Sequence, residues 1–316
     1  MQRTIGTTRI TSVPEQALTG IEHLLRAALP DAVATIPWMR PHFVDDDGLM
    51  LGLIQMFVIE HDDQVIVVDT CVGNGKDLPV REEWSGLHTD FLGRFRRAGF
   101  DPGDVDVVLC THLHLDHVGW NTYLDDDVWR PTFPNARHLF DRTEYRFWQG
   151  EASTPYVARP GDSERMTAMR EEFRRTQRNV LHESVQPIVD AGLVELVDAP
   201  CEPIPGIRLV PTPGHTPGHV SIQITSGSAR ALVTGDSFHH PCQIACPDWA
   251  AAVDHDRAES TATRQRMLED VVGTDVLFVG THFAEPVCGH VVADGDTYRL
   301  VAGGDSDRLA VDADLR

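Results

Sequence analysis

The sequence lacks any apolar run long enough to cross a membrane. Its most apolar stretch, from Leu49 to Ile59, is interrupted by Gly52 and Gln55, whereas a spanning helix needs about 20 consecutive apolar residues. The first residues, MQRTIGTTRITSVPEQ, also lack the apolar core of a secretory signal. We therefore expect a cytoplasmic protein that has no membrane partner.

Basic side chains are scarce relative to acidic ones. The sequence has 27 lysines and arginines against 48 aspartates and glutamates, which gives a formal net charge of −21. Such a surface repels phosphate backbones and anionic membranes, so nucleic acid is not an expected partner. A charge of this size also keeps a protein soluble, and we draw no further function from it.

Cysteine pairs with the spacing of a zinc ribbon or a redox motif are missing. None of the six cysteines stands in a Cys-x-x-Cys pair, and Cys242 and Cys246, four positions apart, have no second pair to complete a metal site. We therefore expect reduced, mostly structural thiols. Nothing in the sequence sets the oligomeric state, and a homodimer is left open.

Length and composition permit one packed domain. Of the 316 residues, 41% are hydrophobic and 24% are charged, as in ordinary globular proteins. We predict a single domain over 1–316 with an N-terminal extension over 1–45. Arg/Glu-rich helical spacing around 163–180, broken by Pro155, Pro160 and Gly161, predicts a helical insertion or lid over 141–191.

Apolar periodicity predicts the remaining elements. Helical spacing covers 15–29, before Pro30, and 82–98, before Gly99. Strand-like runs cover 51–60 and 65–68, which we predict to form a hairpin, and then 105–110, 207–210, 220–224, 231–233, 276–279 and a hairpin over 291–301.

Four of the predicted strands end in a cluster of metal-binding side chains. The runs are VDVVLC before THLHLDH, IRLVPT before PGHTPGH, ALVT before GDSFHH, and VLFVG before THF. Loops at strand ends meet at one edge of a sheet assembly, where a rigid scaffold positions functional groups. We therefore expect these clusters to converge on one metal site.

The first cluster has the spacing that two adjacent metal ions require. His112 and His114 are two positions apart, so in an extended segment both rings project to one side and can share an ion. Asp116 and His117 are consecutive across a turn and can reach a second ion nearby. One short loop would thus serve two ions.

This cluster resembles the signature of the metallo-β-lactamase superfamily. Gly214-His215, Gly235-Asp236 and Thr281-His282 follow in the order that the family uses, and the resemblance covers roughly 48–301. It implies an α/β fold, a four-layer αββα sandwich. It also implies that His112, His114 and His215 bind a first metal ion, that Asp116, His117 and His282 bind a second, and that Asp236 bridges them.

The residue types favour the hydrolases of this family. A bridging carboxylate at Asp236 differs from the usual residue of true β-lactamases, and His114 differs from the glutamate usual in flavin–di-iron oxidoreductases. Two divalent ions, two carboxylates and a bridging hydroxide leave a formal charge of about +1, which would stabilise a developing oxyanion. We expect zinc, with manganese or iron as alternatives.

Several nearby residues are candidates for supporting roles. His239 stands where lactonases similar to this chain carry a tyrosine that contacts the substrate, so we expect an oxyanion partner or leaving-group acid there, or else a packed residue. Asp69 is a candidate for holding the backbone that bears the ligands, and His219 either orients a ligand or packs beneath the turn. Five aromatic residues could form a pocket wall or pack in the core: Trp120, Phe147, Trp148, Phe238 and Trp249.

The function predicted from these features is metal-dependent hydrolysis of an uncharged ester or lactone by attack of a metal-bridging hydroxide. Asp116, Asp236 and His239 are the predicted catalytic residues, and a small molecule is the expected substrate. The alternatives are a thioesterase similar to glyoxalase II, a phosphotriesterase, and a member of the fold that binds metal without turnover. No clear basic cluster beside the motifs supports the thioesterase.

Overall fold

The structure is a computed structural model that describes residues 1–154 and 163–302. Within these ranges the strands form two seven-stranded sheets and one separate hairpin. The first sheet has the order β1-β2-β3-β4-β5-β8-β9, and its strands are β1 (Gln2–Ile5), β2 (Thr8–Thr19), β3 (Leu51–His61), β4 (Gln64–Val68), β5 (Val107–Leu109), β8 (Arg137–Asp141) and β9 (Val194–Val197). The hairpin consists of β6 (Thr122–Asp125) and β7 (Val128–Pro131).

The second sheet follows the sequence order of its strands. They are β10 (Cys201–Ile204), β11 (Ile207–Pro211), β12 (Val220–Ser226), β13 (Ala229–Val233), β14 (Leu277–Val279), β15 (Cys288–Asp294) and β16 (Thr297–Val301). β13 and β14 are parallel, as are the neighbours β4, β5, β8 and β9 of the first sheet. Parallel neighbours place the loops after β5 and after β14 at the carboxyl ends of their sheets, and these loops carry site residues.

Over 1–154 and 163–302, seven α-helices accompany the sheets. They are α1 (Pro30–Val33), α2 (Phe91–Arg97), α3 (Arg142–Ser153), α4 (Glu164–Val180), α5 (Gln186–Asp190), α6 (Cys242–Ala245) and α7 (Arg257–Val271). Helices α3, α4 and α5 fall in the expected insertion over 141–191, and one π-helical turn joins α4 to α5. Residues 155–162 of that insertion, with Pro155, Pro160 and Gly161, lie outside the described residues.

Alternation along the central strands explains the two apolar clusters. Ile66 and Val68 of β4 belong to the cluster that contains residues of both sheets, whereas Val67 belongs to the cluster formed with α2 and α3. Val108 of β5 repeats the pattern, with its two neighbours in the first cluster. A strand buried on both faces is almost continuously apolar, as the run over 105–110 predicts.

The structure corrects one predicted helix and shortens another. Residues 15–29 were expected to be helical, but β2 continues to Thr19 and pairs with β3 as far as Thr19 with Leu51. Gly20 then adopts φ 76°, and only a 3-10 turn, Ile21–His23, follows. Strand pairing is favoured over a helix here because the ladder with β3 gives the backbone groups hydrogen-bond partners while apolar side chains still reach the core. In the segment 82–98, the α-helix is confined to α2.

Strand predictions from sequence agree better with the structure. The hairpin of β3 and β4 has His61 opposite Gln64, close to the predicted turn. β15 and β16 pair around the predicted Asp294-Gly295 turn, with Asp294 opposite Thr297. Helix α7 has no counterpart among the predictions, and it packs Met267 and Leu268 into the larger cluster.

Candidate metal centre

All seven residues predicted to bind metal meet at the ends of four strands from both sheets. The loop after β5 carries four of them, and the loops after β11, β13 and β14 carry one each. Six of the side chains are buried, and Asp116 is partly exposed. The predicted convergence is therefore present in the folded chain.

The first group consists of three histidines whose ring nitrogens face one another. His215 Nε2 lies 3.2 Å from His112 Nε2 and 2.9 Å from His114 Nδ1, and His112 Nε2 lies 3.0 Å from His114 Nδ1. Zinc–nitrogen bonds of about 2.0–2.1 Å in tetrahedral geometry separate two ligand nitrogens by about 3.3 Å. The observed spacing therefore fits a single cation at the centre of the group.

The second group consists of two histidines and one carboxylate. His117 Nε2 and His282 Nε2 are 3.3 Å apart. Asp116 lies beside both, with Oδ1 at 3.7 Å from His117 Nε2 and Oδ2 at 3.7 Å from His282 Nε2. Two nitrogens and one carboxylate at these distances also fit one divalent cation.

Asp236 lies between the two groups and divides its oxygens between them. Oδ1 is 3.0 Å from His282 Nε2 and 3.3 Å from His117 Nε2. Oδ2 is 3.5 Å from His215 Nε2 and 3.8 Å from His112 Nε2. Oδ1 is buried, yet it makes no hydrogen bond with any described residue. A buried carboxylate oxygen without a hydrogen bond is costly, and a cation at this position removes the cost.

Burial controls the protonation of these groups. It lowers the pKa of His112 and His114 well below the usual value, and neighbouring histidines lower it further. Burial also opposes charge on His117, but the carboxylates of Asp236, Asp69 and Asp116 raise its pKa well above the usual value. The neutral imidazoles of His112 and His114 can bind a metal ion without first losing a proton.

A family model for the metallo-beta-lactamase superfamily matches residues 50–282 of this chain. The chain belongs to the metallo-β-lactamase superfamily. The matched segment contains all seven residues of the metal centre, and the predicted resemblance and fold class are confirmed.

Curated relatives are N-acyl homoserine lactonases. The lactonase AiiA of Bacillus thuringiensis subsp. kurstaki is 29% identical over 209 residues, which cover 61% of this chain and 67% of that protein. The lactonase AttM of Agrobacterium fabrum is 26% identical over 192 residues, covering 57% of this chain and 62% of that protein. These relatives agree with the predicted function as a metal-dependent hydrolase of an ester or lactone.

Solved structures of the superfamily align over nearly the whole chain. One is AidC, described as a dizinc quorum-quenching lactonase in complex with a product. The alignment has a TM-score of 0.76 at 19% identity and covers 97% of this chain and 98% of the AidC chain. The hydrolase AbOPH has a TM-score of 0.75 at 20% identity with the same coverage. At this identity the alignments show the shared fold.

Two predicted supporting residues occupy orienting positions in this metallo-β-lactamase site. Asp69 accepts hydrogen bonds from the backbone and hydroxyl of Thr111, both at 2.8 Å, and its Oδ2 lies 2.9 Å from His117 Nδ1. His219 Nε2 accepts the backbone N–H of Asp236 at 2.9 Å, which leaves its Nδ1 to donate to Thr212. Both therefore act on ligands and neither faces the space between the groups.

The adjacent histidines 239 and 240 have different surroundings. His239 Nε2 lies 3.3 Å from Asp236 Oδ2, yet neither ring nitrogen has a hydrogen bond of good geometry to a described residue. His240 Nδ1 accepts the backbone N–H of Cys242 at 3.2 Å, so its Nε2 donates to the Phe43 carbonyl at 2.9 Å. His239 faces the metal centre, and His240 is a packed residue.

Sequence reasoning missed the residues of the insertion that hold the first metal-binding loop. Leu113, between two ligand histidines, donates its backbone N–H to Glu144 Oε1 at 3.0 Å and accepts a hydrogen bond from Gln177 at its carbonyl. His114 lies against Trp148 and Phe173, with ring centroids 5.3 and 5.6 Å away. No motif marks Glu144 and Gln177, because their partner is the backbone of Leu113.

The predicted aromatic wall is only partly present. Trp148 lies beside the metal centre, and Phe147 packs against it with ring centroids 4.9 Å apart. Trp120 instead stacks on Phe91, and Phe238 packs in the core. Proximity in sequence to a ligand therefore did not place these two side chains in a pocket.

Among the described residues no helix is both long and apolar enough to span a membrane.

Proposed function

We propose that this chain is a dinuclear metal-dependent hydrolase of lactones and other uncharged carboxylic esters. His112, His114 and His215 hold one divalent ion, Asp116, His117 and His282 hold the other, and Asp236 bridges them. The position of Asp236 carries the proposal, because its two oxygens face two separate sets of ligand atoms. Zinc fits the histidine-rich first group best.

Divalent ions at this site would supply hydroxide near neutral pH, because they lower the pKa of water to about 7, and would polarise the substrate carbonyl. The chain itself binds and orients these ions, and its outer contacts fix the ligands. Asp69 and the Leu53 carbonyl hold the rings of His117 and His282 through Nδ1, at 2.9 Å in each case. Such contacts leave Nε2 of each ring aimed inward.

His239 is proposed as the residue that acts on the substrate. Burial lowers its pKa, and Asp236 partly offsets this effect. A neutral imidazole beside Asp236 can donate one N–H to an oxyanion or to the departing alkoxide oxygen. Among the described histidines whose ring nitrogens lie beside the Asp236 carboxylate, His239 is the one that the proposed ligand set leaves unused.

Lactones are the proposed substrate class because the curated relatives are named N-acyl homoserine lactonases. The wall formed by Trp148, Phe147 and Phe173 is apolar and suits an uncharged substrate.

The six cysteines are all free, which supports the proposal of a reducing, cytoplasmic compartment.

A substrate panel on protein loaded with zinc tests this proposal. We expect turnover of acyl homoserine lactones and simple aryl esters, and little turnover of thioesters and phosphotriesters. A chelator should abolish the activity and added zinc or manganese should restore it. Failure of the loaded protein to hydrolyse any lactone or ester would overturn the proposal, and a dominant thioesterase or phosphotriesterase activity would replace the substrate class.

A further inference from the structure

Each ligand group contains one histidine whose outer nitrogen contacts a buried carboxylate. In the second group, His117 Nδ1 lies 2.9 Å from Asp69 Oδ2. In the first group, His215 Nδ1 lies 3.0 Å from Asp254 Oδ1. Asp69 was identified from the sequence as a supporting residue, whereas Asp254 lies in a loop before α7 and belongs to no motif.

Asp254 is held in place on its other side. Its Oδ2 accepts hydrogen bonds from Ser260 Oγ at 2.6 Å and from the backbone N–H of Ala251 at 2.9 Å. Arg264 Nη1 lies 3.6 Å from the same oxygen, and the side chains of both residues have 0% exposure. These contacts hold the Asp254 carboxylate at a fixed position beside His215.

Arg264 is itself anchored to the loops around the centre. Its Nε donates to the Pro247 carbonyl at 2.8 Å, and its Nη1 donates to the Ser237 carbonyl at 3.3 Å. Ser237 follows Asp236 directly in the chain. One buried arginine thus contacts both the support of His215 and the backbone beside the bridging carboxylate.

We propose that Asp254, fixed by Arg264 and Ser260, is the positioning residue for His215. It keeps the proton of the ring on Nδ1 and turns Nε2 toward the first group. The other two members of that group have weaker or no such support, since His112 Nδ1 contacts the Thr111 hydroxyl at 3.1 Å and His114 is held by aromatic packing. The orientation of His215 therefore determines how tightly the first position holds its ion.

The inference rests on the proposed assignment of His215 to a metal ion and not on the identity of the substrate. Support of this kind typically contributes a factor of about 10 to 100 in metal affinity. We expect Asp254→Asn to weaken metal binding at one position by about this factor while the other position keeps its ion. Asp248→Asn, an exposed residue of the same loop, is the matched control and should bind both ions as the wild type does.

Two measurements separate positioning from general damage. Metal content is measured after equilibration with a competing chelator. Proton NMR of the cobalt-loaded protein then follows the exchangeable ring N–H signals of the ligand histidines. In Asp254→Asn we expect one such signal, from His215 Nδ1–H, to shift or exchange rapidly while the others stay.

A double variant guards against loss of folding. Asp254→Asn leaves the Arg264 charge buried without its partner, which destabilises the fold by itself. Asp254→Asn/Arg264→Met removes both charges and should fold, with the same loss of metal. Wild-type affinity in the double variant would overturn the proposal, because Asp254 would then serve only to neutralise Arg264. Wild-type protein that binds no metal would overturn the proposed function as well.

Discussion

Buried histidines occur in two kinds of region in this molecule, and only one kind is a candidate site. At the strand ends, ring nitrogens face one another and Asp236 at distances from 2.9 to 3.8 Å. Inside the fold, His61 bonds Thr8 and the Pro205 carbonyl, and His240 bonds backbone on both sides. The burial of an imidazole is therefore uninformative by itself, and convergence of several nitrogens on one carboxylate marks the site.

A lowered histidine pKa does not separate the two regions. Burial lowers the pKa of His138 and His240 to about 4, and it lowers the pKa of His112 and His114 as well. A neutral imidazole suits both a packed interior and a metal ligand. The difference lies in what the ring nitrogens face. Those of His240 face the Cys242 N–H and the Phe43 carbonyl, whereas those of His112 and His114 face other ring nitrogens.

Stepwise removal of metal is the strongest test of this comparison. We expect activity to fall to background when the first ion leaves, because the proposed reaction uses a hydroxide held between the two ions. The second group should empty first, since the Asp116 side chain is 17% exposed and the first group is closed. Metal content and activity are measured in parallel against chelator concentration, and full activity without metal would contradict the assignment.

Asp236→Ala should have the next largest effect. Loss of the carboxylate that faces both groups is expected to lower kcat by at least about 10³-fold and to release at least one metal equivalent. Asp248→Ala, at an exposed position, is the control. An Asp236→Ala protein that keeps two ions and normal turnover would show that the two groups do not depend on this bridge.

His239→Ala sharpens the comparison within one dipeptide. Turnover should fall about 10²-fold while both ions are retained, as for loss of one acid or oxyanion donor. The neighbouring change His240→Ala should instead lower the free energy of unfolding by about 1–3 kcal/mol, with kcat of the loaded protein near that of the wild type. If His239→Ala also kept wild-type turnover and lost only stability, His239 would be a packed residue.

His138→Gln tests the histidines of the interior. The folded pKa of His138 is about 4 against an ordinary value of 6.5, so the unfolded chain takes up the proton first as the pH falls. Stability from this residue is complete above pH 6.5 and is lost between pH 6.5 and 4, by about 3 kcal/mol at most. The variant should lose less stability than the wild type over that window.

The effect is measured by denaturant unfolding at pH 7 and pH 4.5. Metal-free protein is used so that loss of metal in acid does not contribute. His88→Gln, at an exposed position, is the control for removing a histidine. An acid sensitivity as large in His138→Gln as in the wild type would show that His138 is not kept neutral by burial.

The strands that local pattern predicted are present, but β1, β2 and β6 to β10 were not predicted, and the first predicted helix is wrong. The runs that form β3, β4 and β5 are apolar on both faces, as is typical of strands that are buried on both faces. Residues 15–29 have helical spacing, yet the first part of that segment pairs with β3. The competing strand lies far along the chain, and no local pattern reveals it.

The ligand cluster could be predicted from sequence because its chemistry requires particular side chains at short spacings. His112, His114, Asp116 and His117 fall within six residues, and the remaining ligands follow apolar runs. Glu144, Gln177 and Asp254 could not be found in this way. Their partners are backbone groups or the outer face of a ring, which only the packed structure brings within reach.

The sequence by itself determined which groups can bind metal and that they follow strands, because ligand chemistry and strand periodicity are local properties. Tertiary structure decided which oxygen of Asp236 faces which group, which of two adjacent histidines is turned toward the centre, and which carboxylate supports His215. Each of these depends on how side chains from segments far apart in the chain are oriented within a few ångströms of one another. Only the packing of the two sheets and the insertion sets those orientations.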